Sequence, residues 1–411
     1  MAENKQPKKS KRGHGEWSFG LRPGREGQWQ ARKQFGKKEN GKPNIIAFYG
    51  RSKSEVKQKA MEYEAKLLIN QQLNVSKETV YSYVKKWLET IKRHSVKATT
   101  YDTMEDSLEI RLKPYDIADI QMCNLTVQLC QNYINQLVES DKNYSLATIR
   151  KSFNLLNASF RYAVGTGDIA RNPMDFVEMP KESVLETKTK EVQFFTDEQM
   201  AKIYEEVTRK FGNGKPHYYY GLVIEILART GIRIGECLGL KWQDVDFENR
   251  TLTVDNTIST IKNRKKKNDT DKKRLIVDSD PKTEKSVRKV RLSNKAILAF
   301  ENVKTQNIAY GLSVEPNDYV IQSQRGSIGY SRNVRRSFNA ILEKVGIPDY
   351  DEQYGLHTLR HTYASTLLRK GIDIKVVSAL LGHKKVSTTY NTYIHIIEEQ
   401  QNSALDVIDD L

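Results

Sequence analysis

The spacing of hydrophobic residues changes twice along this chain, and that change decides how many kinds of domain it can build. Near the N-terminus apolar side chains alternate at Trp17, Phe19 and Leu21, a Pro23-Gly24 turn intervenes, and alternation resumes at Trp29, Ala31 and Phe35. A third run covers Asn44 to Tyr49. A repeat of two bounded by Gly and Pro predicts three antiparallel strands with one buried face. Ser52 with Glu55 three residues on has the form of a helix start, and Val56, Ala60, Tyr63 and Leu67 then recur at helical spacing. The expectation is a small sheet-plus-helix domain over 16–72, behind a basic, disordered lead over 1–15. Gln28, Gln30, Arg32 and Gln34 fall on the polar face of the second strand, which suits a sheet laid into a DNA groove. A merely solvated face would carry the same pattern.

Beyond residue 76 the spacing becomes helical. Val80, Val84, Trp87, Leu88 and Ile91 mark one helix, and Tyr101, Met104, Leu108 and Leu112 a second that ends before Pro114. Leu129, Tyr133, Ile134 and Leu137 mark a third, and Ile149, Phe153, Leu156, Phe160 and Val164 a fourth that stops at Gly165-Thr-Gly167. Four one-face stripes predict an all-α bundle over 76–180. Residues 181–191 are polar, lack periodicity and read as a linker. The region 192–396 is mixed and mainly helical. Strands are expected at Thr251 to Val254, Leu275 to Val277 and Val287 to Leu292, and helices at Tyr218 to Thr230, Ser293 to Gln306, Ser331 to Val345, Gly355 to Arg369 and Ile374 to Leu381. The fold class is therefore multidomain: a three-stranded sheet with a helix, an all-α bundle, and a mixed α+β domain.

Charge narrows the partners. The net charge is +16, with a net +10 in residues 1–70 and +8 in residues 262–291. Such concentration points to a polyanion such as DNA. The longest apolar run, Tyr218 to Ala228, is short and contains Glu225, so no membrane span is expected, and the basic start lacks the apolar stretch of a secretory signal. A cytoplasmic location is expected. Cys123, Cys130 and Cys237 make neither a disulfide framework nor a zinc motif. No acidic cluster with magnesium spacing and no phosphate-binding Gly-rich loop is present, so no cofactor is expected.

Polar residues then appear where local pattern predicts apolar ones. Arg233 and Glu236 sit in Thr230-Gly-Ile-Arg-Ile-Gly-Glu236, directly after an apolar helix. His357 and Arg360 share a helix face at i and i+3, His383 follows Leu381-Gly382, and Tyr393 comes ten residues later. Singly these are weak signals, since a lone Arg is most often a surface residue and the chain has 21 tyrosines. In this order they are strong.

The segments TGIRIGECLGL at 230–240, HTLRHTYAS at 357–365 and LLGHKKVSTTYNTYIH at 380–395 resemble the tyrosine recombinases, the phage-integrase family. The bundle ending in Asp168-Ile-Ala-Arg-Asn-Pro173 is similar to the family's core-binding domain, and residues 16–70 to an arm-binding domain. The module order resembles integrases of conjugative transposons and integrative and conjugative elements. The resemblance implies that Tyr393 attacks a DNA phosphate to form a 3′-phosphotyrosyl link. Arg233 and Arg360 would clamp the non-bridging oxygens, His357 would be the general base, His383 would bond the phosphate and Glu236 would support the arginine segment. Lys282 would protonate the departing 5′ oxygen. Tyr390 rivals Tyr393, and Lys285 rivals Lys282.

These residue types suit that chemistry. Guanidinium forks neutralise the equatorial oxygens with bidentate geometry. A phenol of ordinary pKa near 10 needs a base and a cationic setting to attack at neutral pH. The implied partners are double-stranded DNA at core and arm sites, a homotetramer on that DNA, and, as accessories the resemblance leaves open, an excisionase and a DNA-bending protein. A type IB topoisomerase and an inactive DNA-binding regulator with the same fold are the alternatives. The tail over 397–411 sets Leu405, Ile408 and Leu411 among acids, a short amphipathic helix that would dock on its own domain or on a neighbouring subunit.

Overall fold

The computed structural model describes residues 17–37, 43–72, 77–185, 192–265, 274–279, 287–394 and 396–397. The chain divides into two compact units, Met1–Lys188 and Thr189–Leu411.

In the first unit β1 (Ser18–Leu21), β2 (Trp29–Lys37) and β3 (Pro43–Gly50) form an antiparallel sheet in sequence order, followed by α1 (Lys53–Gln72). Ala31 lies opposite Phe19 on one side and Phe48 on the other, so period-two alternation in all three strands delivers one apolar face. That face packs Ala31 against Val56 and Ala60 of α1, with Trp17, Phe19, Trp29 and Phe48 around them. Leu21 departs from the expected pattern: it is the last residue of β1, at the edge of this small core, and is 60% exposed. Gln28 departs as well. It precedes β2 and closes the turn, its carbonyl accepting from Arg22 N at 2.7 Å and its side-chain oxygen from Arg22 Nη1 at 3.1 Å. Gln30, Arg32 and Gln34 do lie on β2, with Arg32 and Gln34 exposed. The Ser52 hydroxyl accepts from Glu55 N at 3.2 Å, while the Glu55 carboxylate reaches Arg51 N at 2.7 Å, one residue earlier than a capping box requires.

Among the described residues beyond α1, the unit is built on four α-helices, α2 (Val80–Trp87), α3 (Ala98–Asp106), α4 (Val127–Val138) and α5 (Leu146–Thr166). Their stripes meet in one core containing Val84, Trp87, Leu108, Leu112, Tyr133, Ile134, Ile149, Leu156 and Phe160. Helices α2 and α3 each continue through a wider turn, with Arg93 N bonded to Leu88 O and Lys113 N to Leu108 O, both at 2.9 Å. The extra residue per turn rotates the following side chains, and Ile91 ends up 37% exposed although the helical period places it on the stripe. Gly167, at φ 82°, ends α5 in the left-handed conformation that glycine adopts without steric cost.

The second unit runs α6 (Asp197–Val207), α7 (Gly221–Thr230), α8 (Ile234–Gly239), β4 (Val245–Asp246), β5 (Thr251–Val254), β6 (Thr257–Lys262), β7 (Arg274–Ser279), β8 (Arg288–Arg291), α9 (Asn294–Ala309), α10 (Ser331–Val345), α11 (Tyr350–Gln353), α12 (Leu356–Arg369) and α13 (Ile374–Leu381). A further helix, α14, covers 386–394. The strands make a β4-β5-β8 sheet and a β6-β7 hairpin, antiparallel throughout. Strand β6 was not expected; its Thr-Ile-Ser-Thr-Ile-Lys buries only Ile258, too little for an apolar alternation to stand out. Of the described residues in the basic stretch, Lys262 and Arg274 pair across the β6–β7 hairpin, and Arg288, Lys289 and Arg291 lie on β8.

Helix α7 is the axis of this unit. It packs on α6, α9, α10 and α12, and Val223, Ile224, Ile226 and Leu227 are buried. At roughly 1.5–3 kcal/mol per large side chain, that burial fixes the helix as a rigid frame. No helix among the described residues is long and apolar enough to cross a membrane.

Candidate active site

Two helix ends and one helix face build the site. Helix α7 stops at Gly231, whose φ of 64° leaves the Gly231 carbonyl without a helical partner. A Cβ there would stand 2.5 Å from the Tyr363 ring, so only glycine fits. Helix α13 stops the same way at Gly382, φ 67°, and leaves the Leu381 carbonyl pointing outward. Both orphan carbonyls aim at Arg360 on α12. Its Nη1 donates to Gly231 O at 2.8 Å and its Nη2 to Leu381 O at 2.7 Å. A guanidinium only 2% exposed is thereby held by the negative ends of two helices. Burial, then the charge of Arg233, lowers its pKa to about 10, so it stays cationic at neutral pH.

Arg360 Nη2 also lies 2.9 Å from His383 Nε2. A guanidinium has only donors, so Nε2 is the acceptor and the imidazole proton sits on Nδ1, 2.8 Å from Thr389 Oγ1. Burial, then Arg360 and Arg233, brings the His383 pKa down to about 4. His383 is therefore neutral at pH 7.

Arg233 caps α8 from an extended conformation and keeps its side chain 42% exposed. The Glu236 carboxylate beneath accepts from Arg233 N at 2.8 Å and from Arg233 Nη1 at 3.0 Å. It also takes a fork from Arg288 on β8, Nη1 at 3.0 Å and Nη2 at 2.7 Å. Burial raises the Glu236 pKa, but the hydrogen bonds and charge of Arg288 outweigh it together with Arg233, and the carboxyl falls to about 2. Glu236 thus ties the exposed arginine to the strand that follows the basic hairpin. Arg288 in turn fills the space under Gly382, where a Cβ would come 2.5 Å from its Cδ. Gly382→Ala combines that clash with an unfavourable φ. It is expected to cost about 1–3 kcal/mol in denaturant unfolding and to displace both Arg288 and His383.

The third group lies on α12 and α14. Tyr393 is 1% exposed, its ring packed with Ala364, Leu368, Val377, Leu381 and Ile396. Its hydroxyl is 2.8 Å from His361 Nδ1. Burial pushes the phenol pKa up to about 12 against the pull of Arg360. Burial, then His357 and Arg360, brings His361 down to about 4. With both groups neutral, the phenol donates to Nδ1 in the Nε2–H tautomer of the imidazole. His357, one turn earlier on α12, stands edge to face on His361 at 4.8 Å between centroids. It is exposed, and packing around it followed by Arg360 and Arg233 lowers its pKa. Tyr390, three residues before Tyr393, is 41% exposed.

The structure thus brings together Arg233, Glu236, His357, Arg360, His383 and Tyr393. Lys282 and Lys285 lie outside the described residues, as do residues 398–411 with Leu405, Ile408 and Leu411. Gln30, Arg32 and Gln34 belong to the first unit, and Gln28 is engaged in its turn. Two residues went unnoticed in the sequence. His361 could have been found, because it follows His357 by four and shares its face. Arg288 could not, because its partner Glu236 is 52 residues away.

The imidazoles give a pH signature. A histidine whose folded pKa lies near 4 binds its proton more weakly than the unfolded chain, where it titrates near 6.5. Stability is expected to be insensitive to these groups above pH 7 and to fall as pH drops from about 6.5 towards 4, by up to about 3 kcal/mol for each imidazole. Glu236 adds a separate loss below about pH 4, as it protonates towards its folded value of about 2. Urea midpoints between pH 7.5 and 4.5 check the first window, and a flat profile would contradict the neutral imidazoles.

Residues 193–400 match the profile of the phage integrase family, and residues 79–138 that of the phage integrase N-terminal SAM-like domain. A tyrosine recombinase XerC-like protein of Caldanaerobacter subterraneus subsp. tengcongensis is 30% identical over 385 residues, covering 92% of this chain and 94% of its own. The transposase of transposon Tn916 from Enterococcus faecalis is 27% identical over 262 residues, 62% of this chain and 60% of its own. The Tn1549 transposon integrase, solved in complex with transposon right end DNA, superposes with a TM-score of 0.63 at 22% identity, over 79% of this chain and 99% of that one. With the site's residues assembled and a family profile spanning half the chain, the conclusion is that this chain belongs to the phage integrase family and is a tyrosine recombinase.

Proposed function

We propose that this chain is the integrase of a mobile element, cutting and rejoining double-stranded DNA at two sites through a 3′-phosphotyrosyl intermediate. The observation that carries the reading is the approach of a buried tyrosine, held by a histidine, to a guanidinium cluster of graded exposure: Arg233 at the surface and Arg360 beneath. A phosphate entering from solvent meets Arg233 first. It then meets Arg360 and His383, whose mutual hydrogen bond must open. His383 Nε2, an acceptor in the free protein, has to gain a proton before it can donate to a phosphate oxygen. The phosphate's own negative charge favours that protonation.

In this reading Tyr393 Oη attacks phosphorus, the arginines neutralise the non-bridging oxygens, and the 5′ oxygen leaves with a proton from Lys282, or from its rival Lys285. His357 takes part on the base side, and Glu236 with Arg288 holds Arg233 in place. The bond energy stays in the phosphotyrosine, so a 5′-hydroxyl of the partner duplex can reverse the step without ATP. Residues 16–72 would grip arm sites through Gln30, Arg32 and Gln34 on β2, the helical domain over 76–180 would hold the core site, and the catalytic domain would span 192–396. A lambda integrase tetramer has been solved on a Holliday junction, which supports a tetramer on DNA here. An excisionase and a bending protein are accessories of this scheme, which places the protein in the bacterial cytoplasm, at the nucleoid.

A suicide duplex tests the reading. A nick near the cleavage position lets the short 5′-hydroxyl fragment diffuse away, so the covalent complex accumulates. The expected result is an SDS-resistant adduct at a 3′-phosphate, formed equally in EDTA. DNA binding without any adduct would favour an inactive regulator.

A further inference from the structure

We propose that His361 is the immediate proton acceptor for the attacking phenol: its Nδ1 takes the Tyr393 hydroxyl proton as Oη closes on phosphorus, with His357 acting behind it. The inference rests on the reading of Tyr393 as nucleophile and adds a catalytic residue to it. The contact is direct, with Nδ1 and Oη 2.8 Å apart. It is also fixed, because the Tyr393 ring is enclosed by Ala364, Leu368, Val377, Leu381 and Ile396 and is 1% exposed. The two rings stand edge to face, with centroids 5.8 Å apart. His357 stands against the far side of the relay at 4.8 Å from the His361 ring, and it is the member of the pair that reaches solvent.

The direction of the hydrogen bond fits the role. A phenol near 12 and an imidazole near 4 leave both groups neutral, and the Nε2–H tautomer presents Nδ1 as the acceptor of the phenol's hydrogen bond. That gap is too wide for transfer ahead of attack. The proton therefore moves as the Oη–P bond forms, when the phenol oxygen loses electron density to phosphorus and its acidity rises. The step balances. Oη–P forms, P–O5′ breaks, the phenolic proton passes to Nδ1 to give an imidazolium, and the 5′ oxygen takes a proton from Lys282. In rejoining, the attacking 5′-hydroxyl returns a proton to that lysine, and the imidazolium reprotonates the departing phenolate. Arg360, next in sequence, binds the phosphate rather than the phenol, so the two neighbouring residues divide the reaction between them.

The test uses the full chain and a nicked duplex bearing the terminal core sequence of the element that encodes it. The duplex is made once with an ordinary phosphate and once with a 5′-bridging sulfur at the cleaved bond. A thiolate departs without a proton, so sulfur rescues defects on the acid side only. His361→Phe and His361→Gln are each expected to slow adduct formation by about 10²–10⁴-fold on both duplexes, with DNA affinity unchanged. Lys282→Ala is expected to recover on the sulfur duplex if that lysine is the acid. Rates within threefold of wild type in either His361 variant would overturn the proposal, as would rescue of those variants by sulfur. Full recovery with Gln, which accepts a hydrogen bond but takes no proton, would reduce His361 to positioning and also overturn it. A wild-type protein that binds this duplex but forms no adduct would overturn the nucleophile reading itself, a failure distinct from loss confined to the variants.

Discussion

Arg360→Ala is expected to abolish detectable covalent attachment to DNA, slowing it at least ~10³-fold, and to destabilise the second unit by about 3–5 kcal/mol. The two losses have separate causes. Catalysis loses the guanidinium that would neutralise the attacked phosphate. Stability suffers because the carbonyls of Gly231 and Leu381 and the Nε2 of His383 all lose their donor in a buried setting, at about 1–3 kcal/mol for each group left unsatisfied. Arg360→Lys separates the causes. One ammonium restores the charge but cannot span two helix ends in a plane, so it should recover part of the stability and little of the rate. Denaturant unfolding and single-turnover adduct formation read the two effects. Near-normal cleavage by the lysine variant would show that charge alone suffices and that the fork geometry is immaterial.

Tyr393→Phe is expected to remove the adduct completely while leaving DNA affinity intact. Its cost in stability should be about 1 kcal/mol, because the ring still fills the cluster and only the bond to His361 is lost. Tyr390→Phe is the matched control. Its ring is 41% exposed, and no hydrogen bond from its hydroxyl is found among the described residues, so it should cleave at the wild-type rate. An adduct surviving in Tyr393→Phe and lost in Tyr390→Phe would transfer the role to the rival.

Much of this architecture is legible in the sequence because the decisive signals are local. Alternation at Trp29 and Ala31 produces β2, and the stripe from Ile149 to Phe160 produces α5. The site is legible for the same reason: Arg233, Arg360, His383 and Tyr393 each sit beside a helix end or on a helix face that short motifs specify. What escapes is what depends on distant contact. The Arg288 fork on Glu236 joins a strand to a helix, and the His361–Tyr393 bond joins α12 to α14 across 32 residues. Nothing in its own segment distinguishes Arg288 from a surface charge, whereas His361 carries a local signal, four residues after His357, that does not name its partner. Gln28 fails in the opposite way: alternation places it on a strand face, but Arg22 draws it into the turn.

The central claim is that Tyr393 carries the DNA, and proteolysis of the covalent complex tests it most directly. Wild-type protein trapped on the suicide duplex is digested with trypsin and nuclease, and the peptide bearing the nucleotide remnant is fragmented by mass spectrometry. The account predicts a remnant joined through its 3′-phosphate to Tyr393, in the peptide that begins after Lys385. Attachment at Tyr390, or through a 5′-phosphate, would contradict it.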